Sequence, residues 1–131
     1  MTAYPLTSLM TLLICLLVLA TGINVGRARG LYGIKAPAVT GHEMFERAYR
    51  IQMNTLENAL PLLLALWLYA GFIGDRGGAA MAAVWLAARV WYAVAYQTNP
   101  GKRGLGFNLA YLAFAGLWLG ALWGVVRVLM R

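Results

Sequence analysis

Apolar positions along this chain fall into four long blocks, with short basic or glycine-rich breaks between them. The first covers residues 6–25, within a run reaching Gly26 that has no charged side chain at all. The second follows Arg50 and reaches Gly74, broken only by Glu57. The third spans residues 79–96 with Arg89 inside it, and the fourth, 104–126, carries no charge. A bilayer core about 30 Å thick needs roughly 20 helical residues per crossing, so every block is long enough. Backbone groups in lipid must be satisfied internally, and the blocks show no alternating barrel pattern. The pattern predicts an all-α membrane protein, a four-transmembrane-helix bundle in one domain over residues 1–131. The expected helices are about 6–25, 43–74, 79–96 and 104–128. The first block reads as a retained helix rather than a cleaved leader, because no Lys or Arg precedes Arg27 and the run exceeds the usual leader core of about 7 to 15 residues.

Composition sharpens this picture. Of 131 residues, 62% are hydrophobic and 11% charged, against roughly a quarter charged in soluble domains. The net charge of +7 raises the question of nucleic acid, but the basic residues flank the spans and form no continuous basic helix, so no nucleic-acid partner is expected. Arg27, Arg29, Lys35, Arg47, Arg50, Lys102 and Arg103 belong to one side of a four-span topology; Arg76, Arg127 and Arg131 belong to the other. The positive-inside rule then predicts loops 26–42 and 97–107 to be cytoplasmic and both termini external or lumenal. Cys15, alone and mid-helix, reads as an inert packing residue, and His42 as a surface residue. No HExxH, CxxC or phosphate-loop motif occurs, and no metal is expected.

Candidate chemistry concentrates on the second helix. At about 100° per residue, Glu43, Arg47, Arg50, Asn54 and Glu57 fall within an arc of roughly 80°. A solvated helix end explains Glu43 and Arg47. It does not explain Asn54 and Glu57, which run straight into the apolar segment 59–72, where a carboxylate is expensive unless paired or wet.

The third helix offers a matching set, Arg89, Tyr92 and Tyr96, spaced i, i+3, i+7 on one face. Arg89 lies about 10 Å deeper than Tyr96, so it should face protein, with Glu57 as the candidate acidic partner; if Glu57 also serves a ligand amine, Arg89 would share it or lose it. Gln52 points away from the stripe, and a site that used it as well would need another copy of the second helix. Gly116, Gly120 and Gly124 form a small-residue row that permits close helix approach, and Pro61, one turn beyond Glu57, is placed to kink the second helix.

The segment from Phe45 to Glu57, with Arg47, Arg50, Gln52, Asn54 and Glu57 at fixed spacing and Pro61 after it, resembles the signature of the MAPEG family, the membrane-associated proteins in eicosanoid and glutathione metabolism. The segment from Ala88 to Tyr96, followed by Lys102 and Arg103, resembles the end of that family's third helix and the loop beyond it. The pattern is closest to the microsomal glutathione transferase branch. The resemblance implies a homotrimer with glutathione bound between subunits near the cytoplasmic surface. Carried over by position, Arg50, Asn54, Glu57, Tyr92 and Tyr96 would bind glutathione from one subunit, Arg29 and Gln52 would reach in from its neighbour, and Arg103 would act catalytically beside the sulfur.

The sequence departs from the eicosanoid-synthase members. Gly30 stands for an arginine, Asn58 for a tyrosine, Tyr92 for a histidine and Gly104 for a serine, which favours a broader transferase or peroxidase over a dedicated synthase.

The residue types suit glutathione, which offers two carboxylates, an ammonium and a thiol. A guanidinium beside the sulfur lowers a thiol pKa from about 8.5 toward neutrality. The thiolate could then attack a lipophilic electrophile or a lipid hydroperoxide arriving from the bilayer. Two other readings stay open. A non-catalytic lipid-binding member of the same fold is opposed by the intact Arg50, Asn54, Glu57 and Arg103 set. A small multidrug transporter would carry its essential glutamate in the first helix, where this chain has no acid.

Overall fold

In the computed structural model, which describes residues 3–131, the chain forms four helices: α1 Pro5–Tyr32, α2 Glu43–Phe72, α3 Asp75–Thr98 and α4 Gly104–Leu129. A short 3-10 turn, Pro100–Lys102, joins α3 to α4. Met1 and Thr2, the start of the uncharged run, lie outside the described residues. All four helices are long and apolar enough to cross a membrane. The central pair is α2 and α3: α2 packs on each of the other three helices, and so does α3.

Two helices run further than the apolar blocks. α1 continues through residues 26–32 instead of ending at 25, because Val25 and Ala28 bury against Phe45 and Ala48 of α2 and carry the helix past the end of the apolar block. It stops at Gly33, whose φ of 67° turns the backbone left-handed while Ile34 N–H donates to the Arg29 carbonyl at 3.1 Å. The loop expected over 26–42 therefore begins at Gly33. α3 starts at Asp75 rather than 79, after Gly74 at φ 146° makes the turn from α2. The Asp75 carboxylate also accepts from Leu6 N–H at 3.0 Å and Thr7 N–H at 2.8 Å. Those are unpaired donors at the start of α1, which has no capping side chain of its own. A hydropathy boundary marks where charge begins, not where helical hydrogen bonding ends.

The interior is built of small residues around a few large ones. Ala59, Ala65, Ala82, Ala88, Ala110 and Ala121 are buried with Trp85, Leu62, Leu66 and Leu117, while Leu12, Leu16, Leu60, Leu64, Leu112 and Leu119 point outward. That distribution suits a bilayer, where close backbone approach binds helices and apolar side chains face lipid. The glycine row of α4 finds its partners inside the chain: Gly116 abuts Met81, Gly120 the ring of Tyr69, and Gly124 the side chain of Phe72. Cys15 is exposed on α1, not packed in the bundle as its position suggested. His42 is more than a surface residue. It caps α2, its Nδ1 accepting from Met44 N–H at 3.2 Å and its ring stacking on Tyr32 at 3.9 Å.

Candidate functional site

The lower part of the α2 stripe, one face of α3 and the start of α4 enclose a cavity of about 430 Å³, lined by Arg50, Met53, Asn54, Glu57, Tyr92, Tyr96, Arg103, Gly104 and Phe107. Its size lies within the range of small-molecule sites, roughly 300–1,000 Å³. Six of the eight residues singled out from the sequence share it. α2 supplies Arg50, Asn54 and Glu57 by the i, i+4, i+7 spacing that keeps them on one face. α3 supplies Tyr92 and Tyr96 one turn apart, their ring centroids separated by 5.7 Å.

Arg29 and Gln52 do not line this cavity. The Gln52 amide packs against α1, with Nε2 3.1 Å from the place a Cβ would take on Gly22. Arg29 donates to the Ala38 carbonyl at 2.8 Å and lies over the Phe45 ring at 4.8 Å, so within one chain it fastens the 33–42 loop. Glu43 and Arg47 also stand aside. They form an ion pair with each other, and Arg47 donates to the Gln97 carbonyl at 3.1 Å, tying the start of α2 to the end of α3.

Arg89 is fully buried, as its depth required, but its partner is not Glu57. Its Nη2 donates to Asn54 Oδ1 at 3.0 Å and to Thr55 Oγ1 at 2.9 Å, and the guanidinium carbon lies 4.2 Å from the Tyr92 ring centroid. Glu57 is left exposed on the cavity side of the stripe. Of the two outcomes the sequence left open for Glu57, the structure has the one in which Arg89 does without it and is met by neutral groups. In a tightly packed interior, two neutral oxygens and a π face are what lie within reach.

Positive potential gathers at the mouth of the cavity. Arg103 sits at the N-terminus of α4 with its guanidinium 4.9 Å from the Tyr96 ring centroid. No side chain caps that helix, so its first N–H groups and the positive end of its dipole add to the cation beside them. Two apolar side chains, Met53 and Phe107, complete the wall and were not among the residues expected from the sequence. A further residue the sequence did not single out is Gly106. A Cβ there would stand 2.7 Å from the Ala88 carbonyl oxygen and 2.8 Å from Tyr92 N, both backbone atoms of α3. A glycine three residues after Arg103 was the available sign of so close a crossing. Outside this cavity, a larger apolar groove of about 1130 Å³ runs beside Leu86, Val90, Trp91 and Leu105 and carries no comparable chemistry.

The family model for MAPEG matches residues 7–123. The chain belongs to the MAPEG family. It is accordingly an integral, multi-pass membrane protein. Among its relatives, an uncharacterized protein of Synechocystis sp. is 44% identical over 91% of this chain and 87% of its own length. Microsomal glutathione S-transferase 2 of Homo sapiens is 34% identical over 76% of this chain and 69% of its own. Leukotriene C4 synthase of Bos taurus is 36% identical over 83% of this chain and 71% of its own. These likenesses support a glutathione-dependent, transferase-type activity in general terms.

Proposed function

We propose that this MAPEG member is a membrane-bound glutathione-dependent transferase and/or peroxidase, acting on lipophilic electrophiles or lipid hydroperoxides. The observation that carries the reading is the gathering of Arg50, Asn54, Glu57, Tyr92, Tyr96 and Arg103 around one cavity. The set fits the tripeptide's chemistry. Arg50 and Asn54 can bind carboxylate, Glu57 can hold the ammonium, and Arg103 supplies a guanidinium beside a sulfur. Arg103 and the start of α4 favour the ionised thiol, as a cation and a helix N-terminus both lower a thiol pKa. With an electrophile, the sulfur electron pair forms the new C–S bond and the leaving group departs with its own pair. With a hydroperoxide, sulfur takes the terminal oxygen, the O–O bond breaks, the alcohol leaves, and a second glutathione completes reduction to disulfide and water.

The deciding experiment is turnover by the purified protein with glutathione and a panel of electrophiles and hydroperoxides. Absence of both conjugate and disulfide across the panel, in protein that is folded and carries bound lipid, returns the chain to the non-catalytic lipid-binding reading.

The same proposal assembles the chain as a homotrimer in which Arg29 and Gln52 of one subunit complete the cavity of the next. Its support is that one chain turns these two residues toward its own α1 and loop side, away from the cavity. Native mass spectrometry in detergent is expected to give a trimer that binds glutathione. A stable monomer that still binds it rules out shared sites.

The same proposal puts the site at the cytoplasmic surface, with the α1–α2 and α3–α4 loops cytoplasmic and the termini external or lumenal; the balance of basic residues supports it. A cysteine introduced at Thr40 is expected to resist an impermeant thiol reagent in intact cells and to react once the membrane is opened. Labelling from outside reverses the orientation.

A further inference from the structure

Asparagine is an ambiguous ligand: its amide carries an acceptor at one end and donors at the other, and only a one-sided neighbour decides which end faces a site. Asn54 has such a neighbour. Arg89 Nη2 lies 3.0 Å from Asn54 Oδ1, and a guanidinium has donors only, so the carbonyl end must face Arg89. The Nδ2 end is then the one left for the cavity that Asn54 lines. Reversing the amide would set its NH2 against a fully buried cation whose Nε and Nη1 already lack hydrogen-bond partners among the described residues. Arg89 itself is pinned from two further directions, by Thr55 Oγ1 at 2.9 Å and by the Tyr92 ring at 4.2 Å.

We propose that Arg89 is a positioning residue that fixes the polarity of Asn54, so that the site presents a donor to a ligand carboxylate and leaves Glu57 alone to take the ligand ammonium. The proposal rests on the glutathione reading above and adds to it the source of carboxylate selectivity. Asn54 and Glu57 are neighbours on one face of α2, at i and i+3. An Asn54 free to reverse would offer the ammonium a second acceptor and the carboxylate no donor. With Arg89 behind it, the two polar ends of the γ-glutamyl group are told apart.

The test is equilibrium binding by the full-length protein of glutathione and two analogues. One is 4-aminobutyryl-cysteinylglycine, which lacks the γ-glutamyl carboxylate; the other is the glycine ethyl ester. With the glycine ester as the control whose binding no variant is expected to change relative to glutathione, wild type is expected to bind 4-aminobutyryl-cysteinylglycine about tenfold more weakly than glutathione, the size of a charge-assisted hydrogen bond. Asn54→Ala is expected to shrink that penalty to a few-fold, and Arg89→Gln, whose amide can accept or donate, to shrink it equally. Adding Arg89→Gln to Asn54→Ala should change the penalty no further. A through-space charge effect would lower it again in the double variant, and a merely structural role would leave it intact in Arg89→Gln; either result overturns the proposal. If Arg89→Gln does not fold, Arg89→Lys keeps a donor-only cation and should keep the penalty, and its loss in folded protein overturns the idea. Full retention of the penalty in Asn54→Ala, which keeps Arg89, does the same. Wild type that binds no glutathione removes the proposed function together with this inference, whereas binding without the Arg89 effect removes this inference alone.

Discussion

Arg103→Leu is expected to abolish the thiolate absorbance that appears when glutathione is added at neutral pH, while glutathione affinity stays within about an order of magnitude. The cation stands at the mouth of the cavity over Tyr96, where it can meet a sulfur without holding the rest of the peptide. With the guanidinium gone, the thiol returns toward its ordinary pKa of about 8.5, leaving only a few per cent thiolate at pH 7. The sign follows: activity of the variant rises with pH toward and past 8.5, whereas wild type is already flat above neutrality. A loss of roughly 10²–10³-fold in kcat at pH 7 is the range for removing one group that stabilises developing or resident negative charge. Arg50→Ala should instead raise KM with less change in kcat, and Lys102→Leu should do little. Stopped-flow absorbance and a kcat–pH profile separate these outcomes. Normal thiolate formation in Arg103→Leu would move the activating role to Arg29 or to the tyrosines.

Gly106→Ala is expected to damage activity nearly as severely by a purely geometric route. The added methyl meets the Ala88 carbonyl and Tyr92 N, and backbone atoms inside a helix cannot turn aside. α4 must therefore back away from α3, carrying Arg103 and Phe107 with it while Tyr92 and Tyr96 stay on α3. Overpacking of this kind costs about 1–3 kcal/mol of stability. A shift near 1 Å in a catalytic group costs roughly 10²-fold in rate. The control is Gly116→Ala, where the methyl meets only the Met81 sulfur, the end of a flexible side chain that can move. A fall in both melting temperature and kcat for Gly106→Ala, against near wild-type values for Gly116→Ala, is the expected result. Equal kcat in the two variants would show that the α3–α4 crossing does not set the site.

The membrane architecture was legible in the sequence because a bilayer imposes a length and a composition that few other environments do. The cavity-lining residues on α2 and α3 were legible for a different reason. Each set lies on one helix, and helical spacing alone puts Arg50, Asn54 and Glu57, or Tyr92 and Tyr96, on a common face. What crosses between helices was not readable in that way. The partner of Arg89 required knowing that Asn54 and Thr55 come within 3.0 Å of it, and the weight resting on Gly106 required knowing which backbone lies opposite. The reach of α1 to Tyr32 was missed because hydropathy follows lipid contact, whereas helix length follows hydrogen bonding and the burial of Ala28.

The alanine-lined interior also dictates how this chain can drift over evolutionary time. In a water-soluble domain the inner positions are held to large apolar residues and the outer ones wander among polar types. Here those outward leucines that meet lipid, rather than a neighbouring subunit, can exchange freely with other apolar side chains, since lipid reads greasiness but not shape. The inner alanines cannot grow without prising helices apart, Gly120 cannot grow unless the Tyr69 ring shrinks, and Gly124, against the Cβ of Phe72, has no room for a side chain while the helices keep their spacing. Selection on this bundle therefore acts as an upper limit on side-chain volume. Compensating pairs of changes are to be sought where a ring on α2 meets a glycine on α4, with one gaining bulk only as the other gives it up.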